Sequence, residues 1–146
     1  MAVDVTTEIV IHRPVADVAA YAGDPTNAPQ WYTNIRTVEV KTPPPLAQGS
    51  QIAFVATFLG RTLSDTYAVV ELLAGERLTM RTAEGPFPMV TTYAWTSLAP
   101  DQTGMTLRNT GTPSGFATVA SPLIAASMRH AMTKDLVALK RILEHR

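Results

Sequence analysis

The C-terminal segment of this sequence carries one long apolar stripe with helical spacing, and no earlier segment has a comparable one. Its apolar residues recur three or four positions apart, at Ile124, Met128, Ala131, Met132, Leu136, Leu139 and Leu143. Ser121-Pro122 combines a helix cap with a residue suited to a first turn. The pattern predicts a helix from about Pro122 to Glu144, whose apolar stripe must be buried against the segments that precede it.

Those preceding segments alternate apolar and polar residues, as strands buried on one face do. In the first of them, Val3, Val5, Ile9 and Ile11 share one parity. Two short helical segments follow, and turn signals then separate about six further strands. This order predicts an α+β fold in which a curved antiparallel β-sheet of about seven strands wraps around the long C-terminal helix. The length of 146 residues suits a single domain spanning residues 1–146.

A hairpin is predicted across Gly60-Arg61, because glycine at the first central position suits a type II′ turn. Its register places Phe54 opposite Tyr67 and Phe58 opposite Leu63. The same parity gathers aromatic and methionine side chains on one face of the sheet, namely Phe54, Phe58, Tyr67, Met80, Tyr93, Trp95 and Met105. Any one of them suits an ordinary core, but apolar walls with a few hydroxyl and indole groups are typical of a small-molecule pocket.

We therefore predict a cavity between the sheet and the C-terminal helix. Its predicted ligand-binding residues are Trp31, Phe54, Phe58, Tyr67, Met80, Tyr93, Trp95, Met105, Asn109, Met128 and Met132. Asp65 either points into this cavity with a raised pKa or is solvated near the hairpin tip. Asn109 either holds water or a polar group of the ligand, or bonds nearby backbone. The pattern identifies no catalytic residue.

Composition argues against several kinds of partner and cofactor. Lys plus Arg and Asp plus Glu both number 12, and no basic stripe is present, so nucleic acid is not expected as a partner. The chain has no Cys, and His12, His130 and His145 lie far apart in sequence. No glycine-rich phosphate loop is found. We expect no metal and no nucleotide cofactor.

Hydropathy and charge along the sequence indicate a cellular location. The N-terminal strand carries Asp4 and Glu8, unlike a signal peptide. No apolar run reaches the roughly 18 residues of a membrane span. We therefore expect a cytoplasmic protein without a membrane span, and the zero net charge permits a homodimer.

An ordered set of short motifs resembles the START-like, or helix-grip, superfamily, and within it the bacterial polyketide cyclase/dehydrase-like SRPBCC family. The motifs are Ile11-His12-Arg13-Pro14, Val15-Ala16-Asp17-Val18, Tyr21-Ala22-Gly23-Asp24-Pro25, Trp31, Gly49, the stretch 71–78, Asp135-Leu136 and Leu143-Glu144. They cover nearly the whole chain in the expected order. The resemblance implies a helix-grip fold that encloses lipids, polyketides, hormones or quinones between sheet and helix, although some members bind chaperones and some catalyse cyclisation.

Three functions follow from these observations. The first is binding of a small hydrophobic or aromatic ligand that is lipid-, polyketide- or quinone-like. The second is a metal-free polyketide cyclase/dehydratase-like enzyme that acts by substrate positioning alone. The third is a protein-interaction module, similar to chaperone activators, whose pocket is only core.

Overall fold

The computed structural model describes residues 3–58, 60–84, 88–111 and 121–146, except for the side chains of Phe58, Glu84 and Ser121. The chain forms, in order, β1 Val3–Ile11, α1 Val15–Ala22, a 3-10 turn Pro25–Asn27, α2 Ala28–Trp31, β2 Ile35–Val40, β3 Gln51–Phe58, β4 Arg61–Leu73, β5 Arg77–Glu84, β6 Met89–Ala99, β7 Gln102–Gly111 and α3 Ser121–Glu144.

The strands form one seven-stranded antiparallel sheet in the order β1-β7-β6-β5-β4-β3-β2. From β2 to β7 each strand pairs with its successor in the chain, whereas β1 pairs with β7. Short helices follow the first strand and one long helix closes the chain. The α+β fold predicted from the sequence, a curved sheet around a C-terminal helix, is confirmed.

In strand β1, the alternation of apolar and polar residues matches the alternation of buried and exposed side chains. Val3, Val5 and Ile11 are buried in the core, and Ile9 packs partly buried against it. Asp4 lies on the opposite face, where its carboxylate forms an exposed ion pair with Arg108 of β7 at 2.7 Å. The alternation therefore separates a core-facing side of the sheet from a solvated one.

Helix α3 runs from Ser121 to Glu144, within one residue of the predicted start. Its buried apolar residues are Ile124, Met128, Met132, Leu136, Leu139 and Leu143. The far end is tied to the first strand and the loop after it. Lys140 Nζ donates to the carbonyl oxygen of Val10 at 2.7 Å, and the His12 backbone N–H donates to Glu144 Oε2 at 2.8 Å. These bonds hold the helix across the core-facing side of the sheet.

The observed register of the β3–β4 hairpin differs from the predicted one by two residues. Phe54 pairs with Asp65, and Phe58 pairs with Arg61, so the predicted turn across Gly60-Arg61 is wrong. Gly60 instead follows Leu59, which lies outside the described residues, and has a φ of 77° that favours glycine. An even displacement keeps every side chain on its face. Phe54 and Tyr67 remain neighbours, with ring centroids 5.5 Å apart.

Among the described residues, no helix is long and apolar enough to cross a membrane.

Candidate ligand-binding cavity

A cavity lies between the sheet and α3. The space that the described residues enclose is about 180 Å³ and is partly open to solvent. Its walls come from the α2–β2 connection, from strands β2 to β7 and from α3. The lining residues are Tyr32, Asn34, Ile35, Phe54, Ala56, Thr57, Leu63, Asp65, Tyr67, Met80, Met89, Thr91, Tyr93, Asn109, Met128, Ala131, Met132 and Asp135.

Seven of the eleven predicted ligand-binding residues lie on this wall. They are Phe54, Tyr67, Met80, Tyr93, Asn109, Met128 and Met132. Phe54 and Tyr67 come from neighbouring strands, whereas Met128 and Met132 descend from α3 one turn apart. Strand parity and helical spacing thus bring side chains from distant parts of the sequence to one space.

Three predicted residues lie in the core outside the cavity wall. The ring of Trp31 packs against that of Tyr32 with centroids 4.3 Å apart, and of the two only Tyr32 lines the cavity. Trp95 and Met105 pair across β6 and β7 near α1, where a Cβ at Gly23 would stand 3.4 Å from Trp95 Cη2. Helix α1 therefore covers this end of the sheet. The fourth residue, Phe58, has its side chain outside the described part of the chain.

Tyr32 and Tyr93 form a polar contact in the cavity wall. Their hydroxyl oxygens are 2.5 Å apart, and either can donate. Burial removes water from both rings and raises the pKa of Tyr32 well above its ordinary value, and that of Tyr93 as well. Both hydroxyls are therefore protonated at neutral pH, which leaves one hydrogen of the pair free for a further acceptor.

Asp135 is a buried carboxylate at the boundary between α3 and the α2–β2 connection. It is 2% exposed, and its Oδ1 accepts the backbone N–H of Thr33 at 2.8 Å. Desolvation raises the pKa of Asp135, although the bond from Thr33 opposes the rise. The side chain therefore fixes the chain segment that presents Tyr32 to the cavity.

Asp65 and Asn109 occupy the sheet side of the wall. Asn109 Oδ1 accepts a hydrogen bond from Thr91 Oγ1 on β6 at 2.5 Å, a side-chain partner that was not considered from the sequence. Asp65 lines the cavity, and burial raises its pKa. Its Oδ1 is buried and meets no hydrogen-bond partner among the described residues.

The sequence prediction missed several wall residues, and two of them had a usable signal. Asp135 stands seven positions after Met128, which places it on the buried stripe of α3 by helical spacing. Met89 shares the parity of Thr91 and Tyr93 on β6. Ala56 and Leu63 share the parity of Phe54 and Tyr67 but carry neither an aromatic ring nor a polar group, and Thr57 has the opposite parity.

Within the described ranges, no group of three His, Cys, Asp or Glu side chains is placed to hold a metal ion. The cavity wall is instead apolar, with hydroxyl, amide and carboxyl groups at separate points. Such a wall can orient an organic molecule through hydrogen bonds while burying most of its surface.

A family model described as polyketide cyclase / dehydrase and lipid transport matches residues 2–144. The chain belongs to this family. The match bears out the resemblance to the START-like superfamily and its polyketide cyclase-like branch. No curated protein matches the sequence.

Solved structures share the fold of this polyketide cyclase/dehydrase family member at low sequence identity. The Zhui aromatase/cyclase from Streptomyces sp. R1128 has a TM-score of 0.84 at 15% identity, covering 100% of this chain and 96% of its own. A START superfamily protein from Mycobacterium smegmatis has a TM-score of 0.85 at 15% sequence identity, and the match covers 97% of each chain. A major latex-like protein from Panax ginseng has a TM-score of 0.74 at 10% sequence identity, and the match covers 96% of each chain. At these identities the likeness is one of fold.

Proposed function

We propose that the protein binds a small hydrophobic or aromatic molecule, lipid-, polyketide- or quinone-like, in the cavity between the sheet and α3. The observation that carries this proposal is an apolar cavity with a few polar groups set into its wall. Phe54 and Tyr67 offer ring faces and edges, and Met128 and Met132 offer thioethers that adapt to varied shapes. The family description, which includes lipid transport, supports the same proposal.

The size of the cavity indicates how much of a ligand it buries. An engineered cavity of about 150 Å³ takes up benzene. The 180 Å³ enclosed by the described residues therefore has room for one aromatic ring. A larger ligand would place its remaining atoms toward the open side, where they keep contact with water.

Filling the cavity from α3 tests the proposal. Ala131 lines the wall, whereas Ala126 of the same helix is exposed. Ala131→Phe should abolish binding of a neutral fluorescent probe such as N-phenyl-1-naphthylamine, and Ala126→Phe should leave it unchanged. Binding is measured by fluorescence titration and by the rise in melting temperature. A ligand at a hundred times its dissociation constant adds about 2.7 kcal/mol to the free energy of unfolding.

Two results contradict ligand binding in the cavity. One is the absence of any probe that changes fluorescence or melting temperature in a broad screen of neutral apolar compounds. The other is equal probe binding by the parent and Ala131→Phe, with the variant folded by circular dichroism. Native mass spectrometry of protein purified from its own source then identifies the natural ligand.

A second candidate is a cyclase or dehydratase that acts by substrate positioning. The hydroxyl pair of Tyr32 and Tyr93 favours it, because the free hydrogen of this pair can orient a ketone oxygen. A polyketide-like thioester incubated with the protein should then give cyclised product, detected by liquid chromatography and mass spectrometry. Unchanged rates relative to buffer, for a substrate shown to bind, contradict it.

The protein-interaction alternative has less support. Five large apolar side chains are exposed among the described residues, Val10, Leu73, Leu98, Leu123 and Val137, and they come from four different elements. Single exposed apolar residues are ordinary at protein surfaces. The cavity therefore favours a small ligand over a docking partner.

A further inference from the structure

Among the described wall residues, Asp65 is the one with a buried side-chain acceptor that has no hydrogen-bond partner. It lies on β4 directly opposite Phe54, so its carboxylate stands beside an aromatic wall residue. Its Oδ1 is buried without a partner among the described residues. An ionised carboxylate has about four acceptor sites and no donor. A buried acceptor without a partner is costly, so a donor supplied by a ligand would relieve that cost.

The charges around the cavity set a second condition. The two ionisable acids of the wall are Asp65 and Asp135, and the described wall contains no Lys, Arg or His. The undescribed segments 85–87 and 112–120 contain none either. A ligand carboxylate would therefore be buried near two acids without a counter-charge, which low-dielectric surroundings disfavour.

Asp135 differs from Asp65 because it already accepts the N–H of Thr33. Its Oδ1 helps to hold the α2–β2 connection, and α3 carries the side chain on the opposite side of the cavity from the sheet. The unsatisfied acceptor is therefore on the β4 side, next to Phe54 and Tyr67.

We infer that the ligand is a neutral hydroxylated aromatic molecule whose hydroxyl group donates to the Asp65 carboxylate, and that free carboxylates such as fatty acids are rejected. The inference rests on the proposed function and specifies the ligand class of the same cavity. Phe54 and Tyr67 would contact the ring that carries the hydroxyl, while the remaining apolar surface faces the methionines of α3.

A matched set of two-ring probes tests this inference by isothermal titration calorimetry near neutral pH. The hydroxyl of 2-naphthol and the methyl of 2-methylnaphthalene are similar in size, but only the hydroxyl donates a hydrogen bond. A hydrogen bond to a charged group contributes about 1.5–3 kcal/mol, so 2-naphthol should bind about tenfold to a hundredfold more tightly. The anion 2-naphthoate should bind more weakly than both.

Variants assign the preference to Asp65. Asp65→Asn keeps the size of the side chain and removes its charge, so the advantage of 2-naphthol over 2-methylnaphthalene should fall to within a few fold. Glu71→Gln removes an exposed carboxylate from the same strand and should retain the full preference. Asp65→Ser provides a second variant in case the amide perturbs folding, which circular dichroism and melting curves monitor.

The outcomes separate this inference from the proposed function. Equal binding of 2-naphthol and 2-methylnaphthalene leaves cavity binding intact and overturns the inference, as does a preference that survives in both Asp65 variants. Tightest binding of 2-naphthoate, or of the 1-naphthylmethylammonium ion, overturns the assignment of a neutral donor. Failure of every probe, the methyl compound included, overturns both the inference and the proposed function.

Discussion

Tyr32 and Tyr93 are linked through their hydroxyl groups in the cavity wall. Tyr93 is buried and Tyr32 is partly buried, and the bond between their hydroxyls joins the α2–β2 connection to the middle of β6. Removing one hydroxyl leaves the other without its partner, whereas removing both leaves two apolar rings in contact. The pair is therefore suited to a double-mutant cycle.

Tyr32→Phe and Tyr93→Phe should each lower the free energy of unfolding by about 1–3 kcal/mol, because each leaves a buried hydroxyl unsatisfied. The double variant should lose clearly less than the sum of the two single losses. Urea denaturation of the four proteins measures the coupling. Additive losses would show that water or another group replaces the missing partner.

Asp135 makes the protein less stable as pH rises, whereas an acid whose pKa is lowered by a salt bridge makes a protein more stable as pH rises. Its pKa in the folded state lies above 3.8, chiefly because of burial, so the folded protein holds the proton more tightly than the unfolded chain. The free energy of unfolding therefore falls as pH rises from about 3.8 through the folded-state pKa. Asp65 acts in the same direction.

Asp135→Asn should reduce this fall, because the amide oxygen can still accept the N–H of Thr33 while no charge is buried. The stability of the variant relative to the parent should therefore increase between about pH 4 and neutral pH. Chemical denaturation at a series of pH values measures it. The exposed Asp101→Asn variant controls for loss of an aspartate, and a pH-independent difference for Asp135→Asn would contradict the assignment.

At the scale of elements, α3 contributes to stability through one face only. Leu136 is 2% exposed, and the next residue, Val137, is 43% exposed. Leu136→Ala should lower the free energy of unfolding by about 2–5 kcal/mol, because it removes a packed side chain and leaves a void. Val137→Ala should change it by less than about 0.5 kcal/mol. Urea denaturation compares the two, and equal losses would mean that α3 is rotated about its axis.

Element type and facing could be predicted from the sequence, because both follow from local periodicity. Val3 and Val5 of β1 and Leu136 of α3 are buried as their spacing indicates. The register of the β3–β4 hairpin could not be predicted from the sequence, because Leu59-Gly60 and Gly60-Arg61 are both compatible with a two-residue turn. A displacement of two residues changes the pairing without changing the face.

Which residues along a strand line the cavity was harder to predict from the sequence than which face they take. Trp95 and Tyr93 share a face of β6, yet only Tyr93 reaches the cavity, since α1 packs over the end that carries Trp95. Parity says which face a residue takes, and only tertiary packing decides what covers it. Asp65 illustrates the same limit, because its surroundings depend on which residue of β3 stands opposite.

For the whole molecule, the decisive contact is the pairing of β1 with β7. Val3 stands opposite Gly111 and Ile11 opposite Thr103, so the sheet is complete only when residues about a hundred positions apart meet. Closing so large a loop before gaining its contacts slows folding. The packing of α3 across the sheet adds further distant contacts.

Refolding from urea should therefore take milliseconds to seconds, not microseconds. Stopped-flow fluorescence of Trp31 and Trp95 follows it, because both rings are buried in the core. A substitution in β1 such as Val5→Ala shows whether the β1–β7 pairing forms early, by slowing refolding, or late, by speeding unfolding. Refolding on the microsecond scale would contradict a dependence on this long-range pairing.

Four of the six methionines of the chain line the cavity, so oxidation of methionine would change the chemistry of its walls. Conversion of Met128 or Met132 to the sulfoxide would introduce a polar oxygen among apolar walls. Mild peroxide should therefore oxidise the cavity methionines before Met105, which is fully buried outside the cavity, and should weaken uptake of apolar probes. Peptide mass spectrometry measures the order, and a bound ligand should protect these sulfur atoms.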